Sequence, residues 1–297
     1  MNAESDIREI HALMRLIDDP DSAVFFEISR KIHSYGNSIV PFLESEWERT
    51  ANPLIQTRIE DLIHQIQFEA VKSDFDQWVR MGSRQLLQAC MIVARYRYPE
   101  LNEADVEVEI SQIRKDIWLE LNDQLTPLEQ IKVFNHIFYD IHGFTGNTRN
   151  YHAPENSFLN MALESRKGNP LSIGIIYMVV AQSLDLPVYG INLPEHFVLA
   201  YMGSDFTEER GGLPAKKALF YINAFSKGAV FSQQEVVDFL QHLGHDPDPV
   251  FFEPCSNEAI VKRMLNNLVN AYTKAGQKER ARDMEVLRDI ITSPGLP

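Results

Sequence analysis

Cysteine is nearly absent: Cys90 and Cys255 are the two in 297 residues, too few for a disulfide framework or a structural zinc site. No apolar run reaches the ~18 residues that a membrane span needs. The opening residues, Met1-Asn2-Ala3-Glu4-Ser5-Asp6, have neither the basic nor the apolar stretch of a secretory signal. The expected location is cytoplasmic, with no membrane partner. Positive charge is also short. The 28 Lys and Arg residues face 42 Asp and Glu, for a formal net charge of −14 with no basic run, so nucleic acid is not an expected partner. Phosphate-cradling glycine loops and dinucleotide fingerprints are missing. His136, His142 and His152 lie close in sequence without metal-ligand spacing. Neither a cofactor nor a metal is expected.

What is present is an ordinary globular composition, 44% hydrophobic and 24% charged. Residues 7–70 read as three or four amphipathic helices. Ile7, Ile10, Leu13, Met14 and Ile17 recur at helical spacing, and Asp18-Asp19-Pro20-Asp21-Ser22 breaks the pattern and caps the next helix. Val24, Phe25, Ile28 and Ile32 make a second stripe; Val40–Trp47 and Leu54–Phe68 supply two more. The aspartate-proline turn gives this part a HEAT-like look, although a plain helical bundle is the preferred reading. Helical patterns continue through 104–122 and from Thr126-Pro127 to Phe138, and a polar loop follows from Gly143 to Glu155. Val188–Asn192, His196–Tyr201 and Leu219–Asn223 read as strands of one small antiparallel sheet, with a mobile hairpin expected between Gly203 and Lys217. Ser232-Gln233-Gln234-Glu235 is a capping box, and Glu258–Ile291 reads as two helices joined at Ala275-Gly276-Gln277. The expected fold is α+β: a helical N-terminal bundle over 1–75, a core over 76–235, and C-terminal helices over 236–297.

The sharpest motif is Arg166-Lys167-Gly168-Asn169-Pro170-Leu171-Ser172, followed downstream by Pro194-Glu195-His196-Phe197. Asn169 suits an N-cap and Pro170 the first helical position, so Ser172 falls in the first turn of the apolar helix 171–184. A nucleophile position at a helix start and a His at a strand start are two halves of a papain-like or transglutaminase-like site. The stretch from Ser157 to Ser172, with the later Pro-Glu-His-Phe, resembles the core of the SirB family, a bacterial branch of the transglutaminase-like superfamily. The likeness runs from about Leu86 to Phe231, and the tail resembles a single tetratricopeptide-like hairpin.

The resemblance implies a cleft in which a helix-start cysteine attacks an amide, a strand His acts as base and an Asp or Asn orients it. It assigns His196 to the base and Asn223 to the third position, with Asn169, Pro170 and Glu195 lining the cleft. This chain departs from the pattern in three ways. Glu195 stands where the family usually has glycine, Asn223 where it usually has aspartate, and Pro170–Ser172 contain no cysteine. A helix N-terminus stabilises a nearby anion by about 0.3–1 kcal/mol, up to ~2 when partly buried, which is about 0.2–1.5 pKa units. That helps a thiol titrating near about 8.5 and does almost nothing for a serine. The preferred reading of Ser172 is therefore a hydroxyl satisfying the helix end. The preferred function is a non-catalytic module that binds a protein or peptide. A Ser172/His196/Asn223 amidase, esterase or acyltransferase is the alternative. His196, followed by Phe197, Val198 and Leu199, is expected to be shielded. Arg166 is expected to make a structural ion pair or cap, and Cys90 to be a core thiol.

Overall fold

The computed structural model describes residues 3–203, 208–209, 213–214 and 217–292. The chain divides into two compact units, Met1–Phe75 and Asp76–Pro297.

The first unit is built from α1 (Ala3–Met14), α2 (Ser22–His33), α3 (Val40–Arg49) and the first part of α4 (Pro53–Arg80). Asp21 caps α2 by accepting from Ala23 N at 2.8 Å. Arg58 donates to the carbonyls of Ile17 and Asp19, fixing the preceding turn. Ile17, Ile32, Ile39, Leu43 and Ile59 meet in its core with no exposure, each worth about 1.5–3 kcal/mol of burial. The fourth helix, expected to end near Phe68, continues to Arg80. Ile66, Val71, Phe75 and Trp78 are buried along it, and no glycine or proline interrupts Leu54–Arg80.

The second unit begins with α5 (Leu86–Arg95), α6 (Glu103–Glu120) and α7 (Pro127–Asn135), the last opened by a Thr126/Glu129 capping box. A π-helical turn, His136–Ile141, extends α7 and widens the helix. Then come β1 (Thr145–Gly146), α8 (Leu159–Ser165) and β2 (Lys167–Gly168), with β1 and β2 paired in parallel. The central element is α9 (Pro170–Gln182), buried almost all round from Leu171 to Ala181. It packs on β3 (Val188–Asn192) and β4 (Phe197–Met202). Next come β5 (Glu208–Glu209) and β6 (Leu213–Pro214), an antiparallel pair, then β7 (Ala218–Asn223) and β8 (Ala229–Phe231). The mobility expected between Gly203 and Lys217 falls largely outside the described residues. The main sheet is an antiparallel meander in the order β3-β4-β7-β8. Its last strand has a mostly exposed three-residue pattern, too short to register as a strand from sequence.

The alternation of β4 decides what faces what. A Cβ added at Gly174 on α9 would press on the Phe197 ring and come within 3.9 Å of Leu199. Those two residues therefore face α9. Val198, Ala200 and Met202 join Tyr221, Val236 and Leu240 in a cluster on the opposite face, beneath α10 (Gln233–His242). The boundary expected at 235 thus falls inside a helix that completes the sheet core. The chain ends in α11 (Asn257–Lys274) and α12 (Lys278–Thr292), an antiparallel hairpin turned at Gly276 with φ +75°. The architecture is α+β.

Candidate functional site: the start of α9 and its cavity

The N-terminus of α9 is spent on itself. Pro170 has no N–H, and the amides of Leu171 and Ser172 both donate to Asn169 Oδ1 at 2.9 Å. Ile173 N donates to the Asn169 carbonyl. Ser172 Oγ donates to the Asn156 carbonyl at 2.6 Å and accepts from Asn169 N at 3.0 Å. Asn169 Nδ2 donates to Ser157 Oγ at 2.9 Å, and Asn156 Nδ2 donates to the carbonyls of Asn150 and Tyr151. Asn156, Ser157, Asn169 and Ser172 are all buried. The network ties the polar loop to the helix start, and satisfied buried polar groups of this kind specify one arrangement. Gly168 belongs to the same design, because a Cβ there would collide with Ser172 Oγ.

The three residues assigned to catalysis are not brought together. His196 is exposed rather than shielded. It occupies the turn before β4, and its ring packs edge-on against Phe239 of α10 at 4.7 Å. It thus follows the α10-facing parity of Val198 and Ala200. Its apolar neighbours in sequence alternate sides, so they do not enclose it. Asn223 ends β7, and its Oδ1 accepts from Phe225 N and Ser226 N, both at 3.1 Å, capping a 3-10 turn. Among the described residues, Ser172, His196 and Asn223 share no hydrogen bond.

A cavity of about 200 Å³ opens beside the start of α9. Asn169, Pro170 and Glu195 line it, together with Phe197. Glu195, not His196, is the turn residue on this wall. Its φ of +58° lies in the left-handed region that favours glycine, so a glycine-like backbone here carries a carboxylate. The opposite wall is α11, through Arg263, Asn267, Asn270 and Lys274. Sequence reading did not single out these four as a group. The signal was available as a polar i, i+4, i+7, i+11 stripe opposite the buried Val261, Leu265 and Leu268. Arg263 donates to Asn192 Oδ1 and, at 2.8 Å, to the Leu193 carbonyl, clamping the turn that carries Glu195. Partial burial lowers the Arg263 pKa from its ordinary value. Lys274 Nζ lies 3.4 Å from His152 Nδ1.

The remaining candidates have other employment. Burial pushes both thiols up to about 12, Cys90 in the core and Cys255 with its Sγ donating to the Gly190 carbonyl. Such thiols are poor nucleophiles. Arg166 caps α8 in a left-handed conformation, pairs with Glu109 and stacks over Phe144. His136 bonds Asp140 and His142 bonds Asp116. Among the described residues, no group of three or more His, Cys, Asp or Glu is placed to hold a metal. No described helix is long and apolar enough to cross a membrane.

A UPF0162 protein of Xylella fastidiosa (strain 9a5c) is 27% identical over 203 residues, which are 66% of this chain and 68% of its own. The UPF0162 protein of Vibrio cholerae is 26% identical over 203 residues, 67% of this chain and 68% of its own. F-box only protein 21 of Mus musculus is 26% identical over 164 residues, 54% of this chain but 24% of its own. No solved structure matches significantly. Residues 104–266, more than half of the chain, match the family model described as transglutaminase-like superfamily. By that match the chain belongs to the transglutaminase-like superfamily.

Proposed function

We propose that the chain is a non-catalytic transglutaminase-like module that binds a protein or peptide in the cavity between the start of α9 and α11. One observation carries the reading: every group at the start of α9 that acyl transfer would need is committed to the fold. The Ser172 hydroxyl is held by the Asn156 carbonyl. The amides that would form an oxyanion hole are held by Asn169 Oδ1, and His196 faces α10. The tetratricopeptide-like hairpin, α11 and α12, supplies the second wall. Two free thiols suit a cytoplasmic location.

The test is direct. The purified chain is incubated with a fluorophosphonate probe and with p-nitrophenyl acyl esters, then examined by intact mass. No adduct and no ester turnover above a heat-denatured control are expected. Ser172→Ala is expected to lower stability by about 1–2 kcal/mol, because it strips two buried hydrogen bonds. A covalent adduct on Ser172, or an acyl burst that Ser172→Ala abolishes, would overturn the reading in favour of a hydrolase or acyltransferase.

A further inference from the structure

Arg263, Asn267, Asn270 and Lys274 occupy one face of α11, and all four reach the cavity. In a chain of net charge −14, cations facing a cavity would ordinarily meet carboxylates. Among the described residues, neither Arg263 nor Lys274 has a carboxylate within ion-pair distance, and the side-chain amides of Asn267 and Asn270 have no hydrogen-bond partner. Within the stripe, Arg263 is partly spent on Asn192 and Leu193; the amides of Asn267 and Asn270 beside it are open, opposite a helix start whose groups are all spent.

Its dimensions select a ligand. Eleven residues of helix rise by about 16 Å, the length of about five residues of extended chain. Each Asn amide offers a carbonyl acceptor and an NH₂ donor, the complement of a peptide unit. The ends differ in charge. Arg263 is clamped to the turn that carries Glu195, so a carboxylate already stands at that end. At the other end, Lys274 has His152 as its neighbour and, among the described residues, no carboxylate within ion-pair distance. A ligand anion is favoured there. A cavity of about 200 Å³ is smaller than the roughly 300–1,000 Å³ of drug-sized pockets. It holds a short stretch of chain, and the uncompensated ammonium of Lys274 favours a stretch that ends in a carboxylate.

We infer that this groove captures the C-terminal end of an extended peptide, with its α-carboxylate on Lys274 and His152 and its backbone on Asn270 and Asn267. Glu195 and Arg263 face the residues further upstream. Glu195 disfavours an acidic side chain there and favours a basic one. This inference rests on the binding reading proposed above and gives it a ligand class.

The experiment uses the full chain and N-terminally fluorescein-labelled degenerate pentapeptide pools, as free acids and as C-terminal amides, read by fluorescence polarisation. The free-acid pool is expected to bind, and amidation to weaken binding about tenfold or more, the loss of one charge-assisted hydrogen-bond set. Lys274→Ala is expected to bring the free-acid pool down to the level of the amide. Lys278→Ala, an exposed α12 residue outside the cavity, is expected to change nothing. Equal binding of acid and amide would overturn the C-terminal assignment while leaving a peptide-binding module in place. Failure of both pools to bind would also overturn it. Pentapeptide cleavage seen by mass spectrometry would instead sink the non-catalytic reading.

Discussion

The two walls of the cavity are both polar and differ in one respect. At the start of α9 every donor and acceptor is paired within the fold, with Asn169 alone taking two amides and giving one bond to Ser157. Along α11, Arg263 is half committed, and Asn267 and Asn270 are uncommitted among the described residues. A polar group satisfied internally contributes to specifying the native arrangement. One left open to a cavity contributes little to folding and can be used for recognition. Stability and binding should therefore separate cleanly between the walls.

The largest effect is expected at Asn169. Asn169→Ala removes the cap of α9 and leaves buried amides without a partner, so the loss should reach about 3 kcal/mol. Urea unfolding followed by circular dichroism measures it. A loss below 1 kcal/mol would mean that the network does not hold the loop, and the contrast between the walls would collapse. Gly168→Ala comes next. The new methyl group meets Ser172 Oγ, which is fixed by its own bonds, so overpacking should cost about 2 kcal/mol. The double variant with Ser172→Ala should recover part of that cost, since it removes the atom struck.

The sequence carried the α9 wall well and the α11 wall poorly, for a physical reason. Asn169, Pro170 and Ser172 act through local chemistry, a cap and a first-turn hydroxyl, and local chemistry can be read from spacing. The family resemblance extended this to the fold, and the α+β architecture and the membership both followed. What spacing could not supply was the side on which a turn residue falls. His196 and Glu195 are adjacent in the turn before β4, where neither helical nor strand periodicity assigns a face. The left-handed φ at Glu195 places the carboxylate on the cavity side and the imidazole on Phe239. The fourth strand, Ala229–Phe231, was missed because three mostly exposed residues carry no pattern. The stripe on α11 was written in the sequence at helical spacing, but only the partner wall gives it meaning.

A smaller effect, of opposite sign, is expected at Glu195. A non-glycine residue held at φ +58° carries strain of about 1–2 kcal/mol, part of which glycine gives back in chain entropy. Glu195→Gly should therefore raise stability by about 0.5–1 kcal/mol. It should also weaken discrimination between basic and acidic upstream residues in the free-acid peptide pool. A stabilised variant with unchanged selectivity would make Glu195 a bystander on the wall. A destabilised one would mean that its carboxylate supports the turn.

The smallest effect on folding is expected where the effect on binding is largest. Lys274 is the exposed last residue of α11. Its interaction with the helix C-terminus is worth about 0.3–1 kcal/mol at low salt and less when screened, so Lys274→Ala should stay within about 0.5 kcal/mol of the parent at physiological ionic strength. The proximity of its ammonium to the His152 ring can add little at an exposed site. If thermal unfolding instead shows a loss of 1 kcal/mol or more, Lys274 is fastening the polar loop to α11. Both walls would then be structural, and the cavity would be a seam in the fold with no binding site. A neutral unfolding profile with lost affinity for the free-acid peptide would place folding and recognition on opposite sides of the same cavity.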